Sequence, residues 1–255
     1  MNQLYLFGHH ILYIGTSFET VMHRHHAAQI CIGLDDTFEL INEEGLVETY
    51  RAVIVTANAA HQLSAPETAI ATLFLDIQSE TYETLVKQFQ LNDSHIFHSL
   101  QLSTELLSEL NQLHQVSSTN GSAKSTINKM INELSRKEPS TVSLDPRVIE
   151  VLQQLNHSVD SQIPLDDLAA SVHLSPSRLI HLFKSEVGTP IRRYSLWARI
   201  RVAMEYAVSH QSLTGGAHHA GFTDSAHFSR IFKEMYGINP SAIVNKQIPI
   251  TVNFE

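Results

Sequence analysis

Leu179-Ile-His-Leu-Phe183-Lys184-Ser-Glu-Val-Gly188 recurs 49 residues later as Phe228-Ser-Arg-Ile-Phe232-Lys233-Glu-Met-Tyr-Gly237. Both copies follow the pattern apolar-x3-Phe-Lys-x3-Gly, and Pro190 and Pro240 follow the two glycines within three residues. Apolar side chains four residues apart share a helix face, and a glycine just past the last turn supplies a left-handed cap. Each copy therefore reads as a short amphipathic helix with a fixed end. The stretch between them, 191–209, reads as a third helix and spans about 28 Å at 1.5 Å per residue. That is close to the roughly 34 Å repeat of the DNA groove. Two matched helices on a rigid spacer imply a device for gripping two successive turns of one duplex.

Each copy follows the shorter helix that a helix-turn-helix needs as its brace. The first unit is Leu165–Ser171 with Pro176–Val187. Leu168 and Ala169 face inward and Val172-His-Leu174 makes the turn. Leu179, Leu182 and Phe183 form the inner face of its second helix. Ser177, Arg178, His181 and Lys184 are left outside. The second unit is Thr214–His219 with Asp224–Tyr236. Ala217 packs, Gly221 turns, and Phe222, Phe228, Ile231 and Phe232 fill the interior. Ser225, His227, Ser229, Arg230 and Lys233 remain for the groove or its rim. Short and cationic groups suit base edges and phosphates, so these nine residues are the candidate DNA contacts. Arg192, Arg193, Arg199 and Arg201 on the joining helix are equally well read as phosphate contacts or as structural arginines, and Trp197 reads as core. The full set of expected helices is 146–157, 165–172, 176–187, 190–209, 214–219, 224–236 and a short one after 240. Asp145-Pro146, Ser175-Pro176, Thr189-Pro190 and Asn239-Pro240 each place a capping acceptor before a residue whose φ is already helical.

Residues 145–243 resemble the AraC/XylS family of bacterial transcription regulators. The most specific piece is Ala217-His-His-Ala-Gly221-Phe222-Thr-Asp-Ser-Ala-His-Phe228-Ser-Arg230-Ile-Phe232-Lys233, continued by Gly237 and Pro240. The resemblance implies a seven-helix, double helix-turn-helix domain bound to promoter DNA. Three departures stand out. Gly215-Gly216 replaces a polar residue and a buried aliphatic, which is expected to loosen the second unit by about 1 kcal/mol per glycine. His181 stands where members often place arginine. The end at Ile243-Val-Asn-Lys lacks the usual aromatic-arginine close.

The N-terminal half reads differently. Residues 28–34, 37–41, 52–56 and 69–75 are strand-length, rich in β-branched and aromatic residues, and separated by polar turns. Short strands at this spacing imply a small barrel or double-sheet roll. Residues 80–90 look helical. Leu106, Leu110 and Leu113 mark one amphipathic helix; Ile127, Met130, Ile131 and Leu134 mark another. A polar hinge lies over 117–122. The pair is expected to pack on the barrel, and one of the two is also a candidate homodimer interface. His23-Arg-His25-His26-Ala-Ala-Gln29 follows a strand, and His61 comes later. Alternate strand residues share a face, so His23, His25 and His61 can meet inside a barrel. This resembles a cupin metal motif, with Gln29 in the place of its glutamate. The histidines, with His26 and Gln29, are therefore read as lining an effector pocket, holding a divalent metal, or standing at a barrel rim. Cys31 reads as a small core residue.

The fold class expected is α+β: a cupin-like barrel with two amphipathic helices over 1–137, a linker at 137–143, and an all-helical domain over 145–246. The net charge of −9 divides unevenly. Residues 1–144 carry 16 acidic and 7 basic side chains, a net of −9, whereas 145–246 carry 9 and 10, a net of +1. The acidic half does not suit phosphates; the second half does so only modestly, so binding is expected to be salt-sensitive. No apolar run reaches the roughly 18 residues of a membrane helix, and the start lacks the pattern of a secretory signal. With a single cysteine, a cytoplasmic location is expected. No Walker loop, dinucleotide glycine pattern or nucleophile elbow occurs, so no catalysis and no obligatory cofactor are expected. The partners expected are promoter DNA, a small-molecule effector, a second copy of the chain and, for an activator, RNA polymerase. The rival readings are a metal-dependent cupin enzyme with an attached helical domain, and an interaction module that has lost DNA binding.

Overall fold

The computed structural model describes residues 2–7, 10–16, 20–66, 68–92, 95–115, 120–136, 144–157, 163–237, 239–245 and 250–254. Ten strands and ten helices occur among them: β1 (Asn2–Phe7), β2 (His10–Thr16), β3 (Ala28–Gly33), β4 (Phe38–Asn42), β5 (Val47–Tyr50), β6 (Ala52–Val55), β7 (His61–Ser64), β8 (Ala69–Leu75), α1 (Glu80–Phe89), β9 (Phe97–Ser99), α2 (Thr104–Gln115), α3 (Asn120–Ser135), α4 (Pro146–His157), α5 (Leu165–Ser171), α6 (Pro176–Val187), α7 (Ile191–His210), α8 (Leu213–His219), α9 (Ser225–Tyr236), α10 (Pro240–Val244) and β10 (Ile250–Phe254). The linker expected over 137–143 and residues 117–119 of the expected hinge lie outside the described residues, while 120–122, read as hinge, open α3 instead.

The N-terminal strands form two sheets. One has seven strands in the order β10-β1-β2-β8-β3-β6-β9; the other has three, β5-β4-β7. The larger sheet is covered on both faces, which is why β3, β6 and β8 are buried at every position and mostly apolar rather than alternating, Gln29 and Thr72 being the polar exceptions. Cys31, Val53, Val55, Ile70 and Phe74 face a core shared with Phe38, Leu40 and Leu63 of the smaller sheet. Their sequence neighbours Ile30, Ile32, Ile54 and Leu73 face the other way, onto Leu85, Leu106, Leu110, Leu113, Ile127, Met130 and Leu134 of α1–α3. The stripes read from the sequence on α2 and α3 are thus spent on the sheet.

The C-terminal helices rest on two cores. Leu168, Ala169, Leu179 and Phe183 pack with Val148, Val151, Ile191 and Tyr194 in a cluster of their own. Ala217, Phe222, Phe228, Phe232 and Tyr236 instead join Trp197, Ile200, Ala203 and Met204 in the core that also contains the inner face of the sheets. Helix α7 passes from one core to the other between Tyr194 and Trp197.

Two local expectations need correction. Thr189 does not cap α7. The helix starts from the carbonyl of Pro190, which accepts from the N–H groups of Arg193 and Tyr194, and Thr189 Oγ1 is buried without a hydrogen-bond partner. The reason lies next door: the Gly188 carbonyl accepts from the Glu80 N–H at the start of α1, which draws the chain against the N-terminal half before the helix can begin. Nor is Gly216 simply a weak point. A Cβ there would lie 2.3 Å from the Ala203 carbonyl oxygen and 2.9 Å from Ala207 Cβ. The glycine lets α8 lie directly on α7. The last strand, β10, had no counterpart in the sequence reading; it pairs in parallel with β1, Asn2 opposite Ile250.

Candidate nucleic-acid interface and the histidine cluster

Helices α6 and α9 are built by the same local devices. Ser175 caps α6 by accepting from the Arg178 N–H, and Asp224 caps α9 by accepting from the His227 N–H. At the other ends Gly188 and Gly237 take φ of 76° and 71°, and their N–H groups donate to the carbonyls of Lys184 and Lys233. A Cβ makes that conformation costly, which accounts for the glycine in each copy. Buried Leu179 and Phe183 on one helix, and Phe228 and Phe232 on the other, fix which face is turned outward.

On α6, Ser177, Arg178, His181 and Lys184 are all exposed. Ile180 joins them at 41% exposure. Ser177, Ile180, His181 and Lys184 follow the i, i+3, i+4, i+7 spacing of a single helix face. The equivalent face of α9 is Ala226, Ser229, Arg230 and Lys233, of which Ser229 is half-buried and the others exposed. Sequence reasoning passed over Ile180 and Ala226 because it looked for polar groups, yet both follow from applying the 49-residue offset and the helix period together. An exposed Ile or Ala can meet a thymine methyl. A groove beside α6 is lined by Arg147, Ser175, Ser177, Arg178, His181 and Ser185, which adds Arg147 at the start of α4. Ser225 and His227 sit less openly. Ser225 Oγ accepts from Thr214 Oγ1 at 3.5 Å. The half-buried His227 ring stands edge-on to Phe222, 5.8 Å between centroids.

Three of the four arginines of α7 make contacts within the chain, whereas Arg192 is exposed. Arg199 donates through Nε to the Ala220 carbonyl at 2.9 Å, and through Nη2 to the Gly221 carbonyl. Its guanidinium lies 4.3 Å from the centre of the Phe222 ring. It clamps the turn of the second unit. Arg201 donates to Asn156 Oδ1 at 3.2 Å. Arg193 Nε donates to the buried Asp76 Oδ2 at 2.9 Å, and Trp197 Nε1 donates to the same oxygen at 2.5 Å. Asp76 stands at the end of β8, so this carboxylate ties the sheet to α7 where that helix changes cores. A second cross-link pairs Lys184 Nζ with Glu83 Oε1 of α1 at 3.0 Å, both side chains about half exposed. One of the reading-face cations is therefore held by a carboxylate of the acidic half.

The histidine cluster is assembled largely as its spacing implied. His23 and His61 are joined by two backbone hydrogen bonds, His23 N–H to His61 carbonyl at 3.0 Å and the reverse at 2.9 Å. The ligand-capable nitrogens of His23, His25 and His61 all lie within 4.8 Å of one another. His25 and His61 are buried, His23 half-buried. Gln29 Oε1 is 2.9 Å from His25 Nε2 and 3.2 Å from His61 Nε2. Burial pushes the His25 pKa below its usual range and takes that of His61 down to about 3. His26 is not part of the group: it is exposed, and its backbone N–H donates to the Glu234 carbonyl on α9. Cys31 is fully buried behind Gln29, and burial pushes its thiol up to about 12.

With this geometry in hand, likeness to known proteins becomes informative. A family described as "Helix-turn-helix domain" matches residues 168–246, which contain the second unit and all but the first three residues of the first. The arabinose operon regulatory protein of Escherichia coli K12 is 34% identical over 100 residues, 38% of this chain and 34% of that protein. Over this C-terminal stretch the chain is similar to regulators of the AraC/XylS family. It spans about a third of the length of the arabinose operon regulatory proteins it matches. A probable transcriptional regulator LumQ of Photobacterium leiognathi is 25% identical over 236 residues, covering 86% of this chain and 90% of LumQ. Among solved structures, ToxT from Vibrio cholerae O395 superposes with a TM-score of 0.48 at 11% identity, covering 96% of each chain.

Proposed function

We propose that this chain is a transcription regulator that binds promoter DNA by laying α6 and α9 in two successive segments of one major groove. The observation that supports this best is the pair of outward faces, 177/180/181/184 and 226/229/230/233, capped alike at both ends and separated by a 20-residue helix. Arg178, Arg230 and Lys233, with Lys184 once released from Glu83, supply cations for phosphates and guanine edges. Ser177, Ile180, His181, Ala226 and Ser229 supply the short polar and apolar contacts that distinguish bases. Ser225 and His227 serve at the rim.

The N-terminal sheets are read as an opened cupin-like scaffold that responds to a small-molecule effector and supports pairing with a second copy. Control then operates by differential binding: an effector favours one arrangement of the N-terminal half against α7–α9, and that arrangement binds DNA better. No covalent step is required. Such a protein works in the cytoplasm beside its promoter and, as an activator, touches RNA polymerase. The test is binding of the full chain to DNA from the region upstream of its own gene. Arg178→Ala and Arg230→Ala are each expected to cost about 1–3 kcal/mol and to flatten the logarithmic salt dependence by about one charge. Unchanged affinity and salt dependence in both variants would refute the groove assignment.

A further inference from the structure

The three-histidine cluster has a donor pattern that the reading above does not use. In each ring Nδ1 faces a backbone carbonyl that can only accept: Val21 at 2.9 Å for His23, Ala27 at 2.8 Å for His25, Ala59 at 3.0 Å for His61. Nδ1 must therefore carry the proton, and Nε2 of each ring presents a lone pair. Gln29 Oε1, also a lone-pair atom, lies between two of those Nε2 atoms. Its amide nitrogen is turned away, toward Cys31 Sγ at 2.9 Å. Acceptors converge on one point with no proton among them.

The ring spacing fits a single central ion. Tetrahedral ligation with metal–nitrogen bonds of about 2.0–2.1 Å places imidazole centroids about 5.2 Å apart. The observed separations are 4.5, 5.1 and 5.5 Å. Three carbonyl-anchored Nδ1–H groups are also the support that metal-binding imidazoles use to hold their orientation. The backbone is prearranged by the His23–His61 bridge and by the Asn58 N–H donating to the His25 carbonyl. Gly237, the cap of α9, closes one side; a Cβ there would lie 2.6 Å from His23 Cδ2 and 3.1 Å from His25 Cδ2. Half-buried His23 leaves a way in from solvent.

We infer that His23, His25 and His61 bind one divalent transition-metal ion, with the Gln29 amide oxygen available as a fourth ligand and Gly237 of α9 as the wall of the site. Three neutral imidazoles and an amide select borderline ions such as Zn²⁺, Co²⁺ or Ni²⁺ over Mg²⁺ and Ca²⁺, which require oxygen shells. An ion here joins β7 to the segment before β3, with the end of α9 lying against it.

The rival is a metal-free cluster in which the Gln29 amide is turned over and donates to His25 and His61. The two are separated by titrating chelator-treated full-length protein with Co²⁺ and Zn²⁺, with Mg²⁺ as control. One Co²⁺ per chain with the intense visible absorption of a tetrahedral site is expected, together with a melting temperature that rises with Zn²⁺ concentration. Because His25 and His61 are buried and their loss can unfold the chain, His23→Ala is the informative deletion. It should lower affinity by at least about 10- to 100-fold while the circular dichroism stays native. Gln29→Glu, which adds a charged ligand, should raise affinity. Folded wild-type protein that takes up no ion, or uptake undiminished in His23→Ala, would overturn the assignment.

Discussion

Asp76 is the most exacting test of how the two halves are joined. Its carboxylate is fully buried and accepts three bonds, from the Gln78 N–H at 2.8 Å on Oδ1 and from Arg193 Nε and Trp197 Nε1 on Oδ2. Asp76→Asn preserves size and removes one acceptor oxygen and the charge. Whichever way the new amide turns, its NH₂ meets at least one protein donor. One buried donor left unsatisfied costs about 1–3 kcal/mol, and charge-assisted bonds reduced to neutral ones lose about 1 kcal/mol each. Arg193 retains 24% side-chain exposure, so water recovers part of its loss. The sum is about 2–4 kcal/mol, measured as the change in unfolding free energy by urea titration, with a fall in melting temperature of about 4–16 °C for a chain of this size. Asp76→Ala should cost more, about 3–5 kcal/mol, because nothing then faces Arg193. Arg193→Lys keeps the charge, loses the directed Nε–H, and should cost least. A loss below about 1 kcal/mol for Asp76→Asn, or an order in which Arg193→Lys is worst, would refute the view that this carboxylate pins sheet to helix.

Three further outcomes follow from the geometry. Glu83→Gln frees Lys184 from a pair in which both partners are about half exposed; at no more than about 1 kcal/mol for such a pair, DNA affinity should rise up to about five-fold, and a fall in a gel-shift titration would contradict the arrangement. Gly216→Ala gains about 1 kcal/mol of helix propensity but drives a Cβ to 2.3 Å from the Ala203 carbonyl; thermal unfolding should show a net loss of about 1–2 kcal/mol, and stabilisation would show the α7–α8 contact to be looser than described. With its pKa raised to about 12, the Cys31 thiol should be inert toward an aromatic disulfide reagent at pH 8, where about one molecule in ten thousand is thiolate, and should react fully once denatured.

Much of the C-terminal domain was legible because its information is local. Cap, apolar period and terminal glycine all fall within a dozen residues, and each appears twice, so α6 and α9 and their inner faces Leu179/Phe183 and Phe228/Phe232 could be placed without long-range knowledge. The strands β3, β4, β6 and β8 were visible for the same reason. What escaped depends on partners far away in sequence. Gly215-Gly216 looked like a defect because propensity is scored one residue at a time, whereas the contact that needs Gly216 lies on α7. Strand β10 carries five residues of alternating character whose partner β1 stands at the other end of the chain. Thr189 looked like a cap because the rule for a small polar residue before proline cannot see Glu80. At the reading faces the error ran the other way: the search for polar groups found Arg178 and Arg230 but missed Ile180, whose 41% exposure is the signal.

The division of cores gives the two reading units different mechanical status. The first unit packs around Phe183 and Leu179 in a cluster that includes no sheet residue. It meets the N-terminal half through polar links near α1 and Asp76. The second unit, through Phe228, Phe232 and Tyr236, shares one apolar core with the sheets. Tyr236 stacks edge-on against both Phe74 of β8 and Trp197 of α7. A change within the sheets therefore reaches α9 by packing, which is stiff and close to all-or-none, but reaches α6 only by breaking or making a few polar contacts. Under the proposed function, DNA measures the placement of one helix relative to the other. The net charge of +1 over 145–246 supplies little sequence-independent attraction, so affinity must come from both helices fitting at once. A sensor that shifts one unit against the other by a fraction of a groove width then has a large lever on binding, and the residues that set that lever are those where α7 crosses between cores: Arg193, Tyr194, Trp197 and the carboxylate of Asp76 beneath them.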